Sequence, residues 1–215
     1  GEELQYQIAN NPTLKYAKSC GMHLEFVSRA TYKNKTDPVY LQALSETFKG
    51  YYIIPEGGTN ALAIKGCQEI LTTKDLSFDV ICCAVGTGGT LAGLINSSLP
   101  TQKIIGFPAL KGSFLKQDIC KFAIQSNWEL WEDYHFGGYA KVDSKLIKFM
   151  NEFKLSYNIP LDPIYTAKMM YGLFEGIRSG RISKSARVLA IHTGGLQGIA
   201  GMNLSLKQKN LEEII

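Results

Sequence analysis

Apolar positions along this chain switch between two spacings, one near every third or fourth residue and one in unbroken short runs. Asn11-Pro12-Thr13 opens a helically spaced segment through Cys20, with the asparagine as cap and the proline in the first turn. Gly21 ends it, and residues 23–27 read as a strand. A polar loop with Asn34, Lys35, Thr36, Asp37 and Pro38 leads to a short helix over 39–47. Tyr51-Tyr52-Ile53-Ile54 is a β-rich run stopped by Pro55, and Gly57-Gly58-Thr59-Asn60 turns the chain into a helix over 61–71. Residues 78–85 form an apolar run of the kind buried on both faces. A glycine-rich turn, Gly86-Thr87-Gly88-Gly89-Thr90, leads from it straight into a helix over 91–96. Residues 103–107 read as a further strand, 166–176 as a helix, and 187–192 as a strand that ends in Thr193-Gly194-Gly195. Residues 204–215 read as a surface helix or a loose tail. Strands and helices in alternation predict an α/β fold with a mainly parallel sheet.

Composition narrows the classes of function. The 215 residues are 45% hydrophobic and 20% charged, as for a chain that buries a core. The net charge of +4 is mild, and the lysines are scattered. The densest basic patch, Lys33 and Lys35, reads as solvated surface, so no nucleic-acid partner is expected. No apolar run reaches the ~18 residues needed to cross a bilayer, so no membrane partner is expected either. Five cysteines without C-x-x-C spacing, two of them inside the run over 78–85, read as reduced core thiols. Three histidines at no metal-ligand spacing give no expected metal site. Together these features place the protein in the cytoplasm.

The strongest chemical signal is the strand–turn–helix around Gly86-Thr87-Gly88-Gly89-Thr90. Glycines let the backbone approach an anion, and the first N–H groups of the following helix point at it. The physical reading is a phosphate cradle at the carboxyl end of a central strand. A Walker A loop would require a lysine that does not follow, and the dinucleotide fingerprint would require glycine where Leu91 stands. A turn selected only for helix–strand packing is the alternative. Thr193-Gly194-Gly195, at a second strand end, would line the same crevice, its threonine able to bond a ligand ring nitrogen. The loop Asp133-Tyr134-His135-Phe136-Gly137-Gly138-Tyr139 lines a site or covers a core. In Leu161-Asp162-Pro163-Ile164-Tyr165-Thr166, Thr166 reads as a helix cap and Tyr165 as a packed ring. His192 reads as a structural histidine.

Taken in order, Asn11-Pro12-Thr13-Leu14, Ile54-Pro55-Glu56-Gly57-Gly58-Thr59-Asn60, Val85-Gly86-Thr87-Gly88-Gly89-Thr90, Leu161-Asp162-Pro163-Ile164-Tyr165-Thr166 and His192-Thr193-Gly194-Gly195 form one pattern. It resembles the D-cysteine desulfhydrase and 1-aminocyclopropane-1-carboxylate (ACC) deaminase group of fold-type II pyridoxal-phosphate (PLP) enzymes, related to the tryptophan synthase β subunit. The resemblance implies two open parallel-sheet domains with PLP in the cleft between them, residues 1–48 being the remainder of the smaller domain and 49–215 the larger. It implies that Thr87, Gly88, Gly89 and Thr90 hold the PLP phosphate and that Thr193, followed by Gly194, faces the pyridine nitrogen. A hydroxyl there makes a weaker electron sink than a protonated ring would. Tyr139 and Tyr165 would flank a small amino-acid substrate. Thr166 stands where ACC deaminases typically carry glutamate, which points to β-elimination of D-cysteine or a related D-amino acid to pyruvate and ammonia. ACC ring opening is the alternative.

The pattern also departs from the family. The Schiff-base lysine, in a Ser-Gly-Asn-Lys context near the amino terminus, does not occur here, nor does the Ser-Asn-His loop that follows it. Asn34-Lys35 lacks the preceding Ser-Gly and is set aside. Without that lysine the usual base for the α-proton is missing. Either roughly a hundred amino-terminal residues lie outside this numbering, as the opening Gly1 also implies, or the protein is a non-catalytic PLP- or phosphate-binding remnant. The first is expected, because a parallel sheet without its opening strands exposes edges and apolar faces. An unrelated nucleotide-binding domain is the third reading, and the glycine spacing counts against it. By resemblance the protein is expected to be a homodimer.

Overall fold

The computed structural model describes residues 1–112 and 114–215. The chain divides into two compact units, Gly1–Glu56 and Gly57–Ile215.

The first unit is helical. A 3-10 segment over Glu2–Asn10 precedes α1 (Pro12–Ser19), α2 (Arg29–Lys33) and α3 (Pro38–Thr47). The local signals set these starts: Asn11 Oδ1 accepts from the Leu14 N–H at 3.1 Å, and Asp37 Oδ1 accepts from Val39 at 2.8 Å. The expected strand over 23–27 does not form, and neither does one over Tyr51-Tyr52-Ile53-Ile54, whose side chains stay largely in solvent. A strand needs a ladder partner, and among the described residues of this unit there is no strand to supply one. Lys35 is tied to Glu56 at 3.0 Å and lies over the Tyr32 ring.

The second unit is an α/β layer structure. Its elements are α4 (Ala61–Cys67), β1 (Val80–Val85), α5 (Gly89–Ser97), β2 (Lys103–Pro108), α6 (Phe114–Cys120), β3 (Trp128–Leu130), α7 (Ser144–Tyr157), α8 (Thr166–Arg178), β4 (Val188–Ile191) and α9 (Gly198–Gln208). The four strands run parallel in the order β3-β2-β1-β4, with Cys83 opposite Gly106 on one side and Ile191 on the other. Every residue of β1 is buried. Val80, Cys82 and Ala84 face a cluster that includes Met169 and Leu173 of α8, while Ile81, Cys83 and Val85 face Leu91, Leu94 and Ile95 of α5. A third cluster joins α7, α8 and the chain end through Leu146, Met150, Tyr171, Leu206 and Ile214.

The expected parallel sheet is therefore present, with three differences from the sequence reading. The helix after Asn60 ends at Cys67, not residue 71. Strand β3 and helix α7 carry no expectation from sequence; β3 is three residues long, too short to show a period. The chain end is not a loose tail, and residues 204–208 are the largely exposed end of helix α9, as the surface-helix reading had it. Helix α9 starts at Gly198, and Ile214 is buried while Asn203 and Asn151 bond the backbone of Ile214, Glu213 and Ile215. Two asparagines thus replace a missing ladder for that segment.

Helices α4 and α5 pack at backbone contact. A Cβ on Gly93 would lie 2.3 Å from Cys67 Cβ and 3.0 Å from the Ile64 carbonyl oxygen, so α4 itself would have to move. Gly93→Ala is expected to lower stability by about 1–3 kcal/mol despite the better helix propensity of alanine. Thermal melting of the two proteins checks this, and an unchanged or raised melting temperature would show that the helices are not in contact there.

Candidate functional site

The site begins where β1 ends. Gly88 is held at φ +91°, a left-handed value, and a Cβ on it would sit 2.6 Å from Ile119 Cγ1. It is also the N-cap of α5 and supplies no side-chain acceptor. The first-turn N–H groups of α5 thus lack helical acceptors and face outward with a partial positive charge. Beside them, the Thr87 hydroxyl bonds the Thr59 hydroxyl and reaches the Gly57 carbonyl at 3.4 Å. A Cβ on Gly89 would fall 2.8 Å from Thr59 Oγ1. The Gly57-Gly58-Thr59-Asn60 turn, whose Asn60 caps α4, therefore seats directly against the Gly86–Thr90 turn. Both glycines are required by close packing, Gly88 against Ile119 and Gly89 against Thr59, which leaves backbone N–H groups at the helix start of the kind that bind a small anion. The donor set suits the phosphate of PLP.

Thr193-Gly194-Gly195 leaves the carboxyl end of β4, the parallel neighbour of β1, so both turns open at the same end of the sheet. Thr193 is exposed, and Gly194 and Gly195 have φ of +89° and +87°. His192 holds this turn: its Nδ1 accepts from the Gly194 N–H at 3.1 Å and its Nε2 pairs with the Pro160 carbonyl at 3.0 Å. A carbonyl only accepts, so Nε2 is the donor to Pro160. Both ring nitrogens are engaged, as for a structural histidine.

The start of α8 supplies the aromatic wall. A Cβ on Gly86 would lie 3.3 Å from Tyr165 Cε1, so the ring packs against the start of the glycine turn. Tyr139 packs edge-on against it, centroids 6.2 Å apart. Burial, with Tyr139 and Asp162 nearby, pushes the Tyr165 phenol up to about 12. It therefore keeps its proton at neutral pH and can donate.

Asp162 organises this wall. Fully buried, its carboxylate accepts from the Ile164 and Tyr165 N–H groups at 2.9 Å each, from the Thr166 N–H at 2.7 Å and from the Thr166 hydroxyl at 2.8 Å. It caps α8, the role the sequence reading gave to Thr166. Thr166 is itself fully buried, and its oxygen also accepts from the Asp162 N–H at 2.9 Å. Its hydroxyl is thus engaged inside the turn, whereas Tyr139 and Tyr165 come together beside Gly86. Asp162 also lies under the second glycine turn, 3.1 Å from where a Gly195 Cβ would be.

Sequence reasoning missed Thr59, Asp162 and Lys168 as parts of this neighbourhood. Lys168 is fully buried on α8, its ammonium donating to the Gly138 carbonyl at 2.7 Å. Burial lowers it to about 8, against the attraction of Asp162. The available signal was a lone lysine in the apolar helix segment Ala167-Lys168-Met169-Met170. Cys82 and Cys83 are buried thiols pushed up to about 12 by desolvation, unreactive as expected of core cysteines. Among the described residues no cluster of His, Cys, Asp or Glu could hold a metal ion, and no helix is long and apolar enough to cross a membrane.

A glycine turn leading into a helix N-terminus at the carboxyl edge of a parallel sheet is an arrangement at which ligands of α/β proteins bind. The chain belongs to the pyridoxal-phosphate dependent enzyme family, which it matches over residues 7–194. It is 34% identical over 168 residues to a Thermotoga maritima protein named as a candidate ACC deaminase, covering 69% of this chain and 53% of the relative. It is 28% identical over 211 residues to the mitochondrial bifunctional D-cysteine desulfhydrase/ACC deaminase of Arabidopsis thaliana, covering 83% of this chain and 51% of that protein. Among solved structures it is similar to an ACC deaminase homologue, with a TM-score of 0.75 at 25% identity, covering 91% of this chain and 65% of that one. The chain spans about half the length of the curated relatives it matches.

Two outcomes are expected. Asp162→Ala strands four donors, two of them buried, and should lower the unfolding free energy by about 2–4 kcal/mol in urea titration. A loss under about 1 kcal/mol would mean that water replaces the carboxylate. Lys168 gives a pH signature: the unfolded chain keeps its proton until the ordinary 10.5, the folded chain releases it near 8, and in between the unfolded state binds more protons. Stability then rises with pH, so wild type should gain on the order of 1 kcal/mol on K168M between pH 8 and 10. A constant difference across that interval would show that the ammonium is not desolvated.

Proposed function

We propose that this chain is the cofactor-anchoring part of a PLP-dependent lyase or deaminase acting on a small amino acid, with β-elimination of D-cysteine or a related D-amino acid as its reaction. The observation that carries this reading is the Gly86–Thr90 cradle with the Tyr139–Tyr165 pair beside it. PLP, when bound, supplies an electron sink that labilises bonds at the α-carbon of an amino acid. Thr87, Gly88, Gly89 and Thr90 would hold its phosphate. Thr193, with Gly194 behind it, would bond the pyridine nitrogen as a neutral partner.

The protein's own groups then bind and orient. Tyr165, protonated at neutral pH, donates a hydrogen bond to the substrate or to its leaving group, and the Tyr139 ring packs edge-on against it. For D-cysteine the overall change consumes one water and yields pyruvate, ammonia and hydrogen sulfide. The neutral Thr166 after Tyr165 supports elimination, since by resemblance a glutamate serves there in ACC deaminases. Its engagement with Asp162 makes that support one of charge and wall shape, not of direct contact. ACC ring opening is the second reading, and the name of the Thermotoga maritima relative favours it.

Residues 1–48 would be the later part of a smaller domain and 49–215 the larger one; the first compact unit of the structure runs to Glu56. The Ser-Gly-Asn-Lys context in which the resemblance places the Schiff-base lysine does not occur in this sequence. Reduced core thiols fit the cytoplasm, and the resemblance implies a homodimer.

The decisive experiment is intact mass before and after borohydride reduction, with pyruvate release from D-cysteine and 2-oxobutanoate release from ACC measured on the same sample. A mass gain of one phosphopyridoxyl group, sulfide from D-cysteine and a fall of roughly 10²–10⁴-fold in turnover for Tyr165→Phe are expected. No reducible adduct would leave a phosphate-binding remnant, and turnover of ACC alone would establish the second reading.

A further inference from the structure

Lys168 has no part in the chemistry proposed above, yet the fold keeps a charged group there without solvent. Among the described residues its ammonium makes one hydrogen bond, to the carbonyl of Gly138, itself buried. A methionine or leucine would fill the same space without the desolvation of an ammonium. The carbonyl it holds belongs to an unusual loop. Phe136, Gly137, Gly138 and Ala140 all have left-handed φ, at +52°, +90°, +116° and +54°. Two of these are side-chain-bearing residues for which that region is unfavourable, so the loop keeps its shape only where the surroundings over-determine it.

The next residue is Tyr139. Its ring meets Tyr165, and Tyr165 lies one helical turn before Lys168 on the same helix start. One turn of α8 therefore carries one of the two tyrosines directly and grips the loop of the other.

We propose that Lys168 is a positioning residue that locks the Gly138 carbonyl and so sets Tyr139 against Tyr165. Its consequence for catalysis rests on the reading of the two tyrosines as substrate-flanking groups; the positioning itself does not.

The test uses the purified full-length protein and tetranitromethane, with nitrated tyrosines mapped by mass spectrometry. Tyr157, 55% exposed on α7, is the internal reference for Tyr139, 54% exposed. In K168M the Tyr139 rate should rise roughly tenfold relative to Tyr157, the population change expected when a charge-assisted hydrogen bond to a loop is lost. If K168M does not fold, K168Q carries the same expectation, because its shorter side chain does not reach Gly138. Equal acceleration of both tyrosines, or of neither, would overturn the proposal, since a merely structural lysine loosens the protein as a whole or not at all. Tyr139→Phe separates the two readings. Unchanged turnover in that variant removes Tyr139 from the site, while unchanged Tyr139 nitration in K168M removes only the positioning role.

Discussion

Strand β1 must be dry on both faces, and the arrangement of the second unit follows from that. A parallel strand in the middle of a sheet has hydrogen-bond partners on both edges and no solvent-facing side. Six consecutive residues that can all be buried are therefore required, and Val80 to Val85 supply them, with two cysteines as small apolar fillers. Helix α8 covers one face and α5 with α6 the other. Once both faces are closed, the only direction left open is along the strand. The chain leaves β1 at its carboxyl end, and the free N–H groups of α5 gather there.

Asp162 does for the aromatic wall what β1 does for the cradle. Its carboxylate is spent on neutral donors of one turn, which fixes the entry into α8 and the direction of Tyr165. The same side chain lies under Gly195, so the turn after β4 and the start of α8 are placed by one group. The shape of this region is held by buried polar groups that lie behind the exposed residues. A buried carboxylate and a buried ammonium within two turns of one helix are costly features, and each holds a specific backbone group in place.

The two units contrast in this respect. The first is held by helix caps and exposed ion pairs such as Arg29 with Glu3 and Lys35 with Glu56. Such pairs are individually weak in water. Tyr51, Tyr52 and Ile54 remain exposed in it, whereas the second unit carries three buried clusters.

The sequence by itself determined the parallel sheet, the helices that follow Asn11, Asn60 and Tyr165, and the two glycine turns at strand ends, because these rest on local spacing, capping and backbone freedom. Its order of motifs also indicated the family. What it could not determine are features that depend on a distant partner. Residues 23–27 have strand composition but nothing to pair with, and the three residues of β3 become a strand only because β2 lies alongside. Thr166 has the composition of a cap or a site residue, yet its hydroxyl is claimed by Asp162 four positions earlier. Lys168 resembles any helical lysine until the fold brings Gly138, thirty residues away, to its ammonium. Local periodicity encodes what a segment will become; the use of each buried polar group is decided only when tertiary packing removes water and leaves one acceptor within reach.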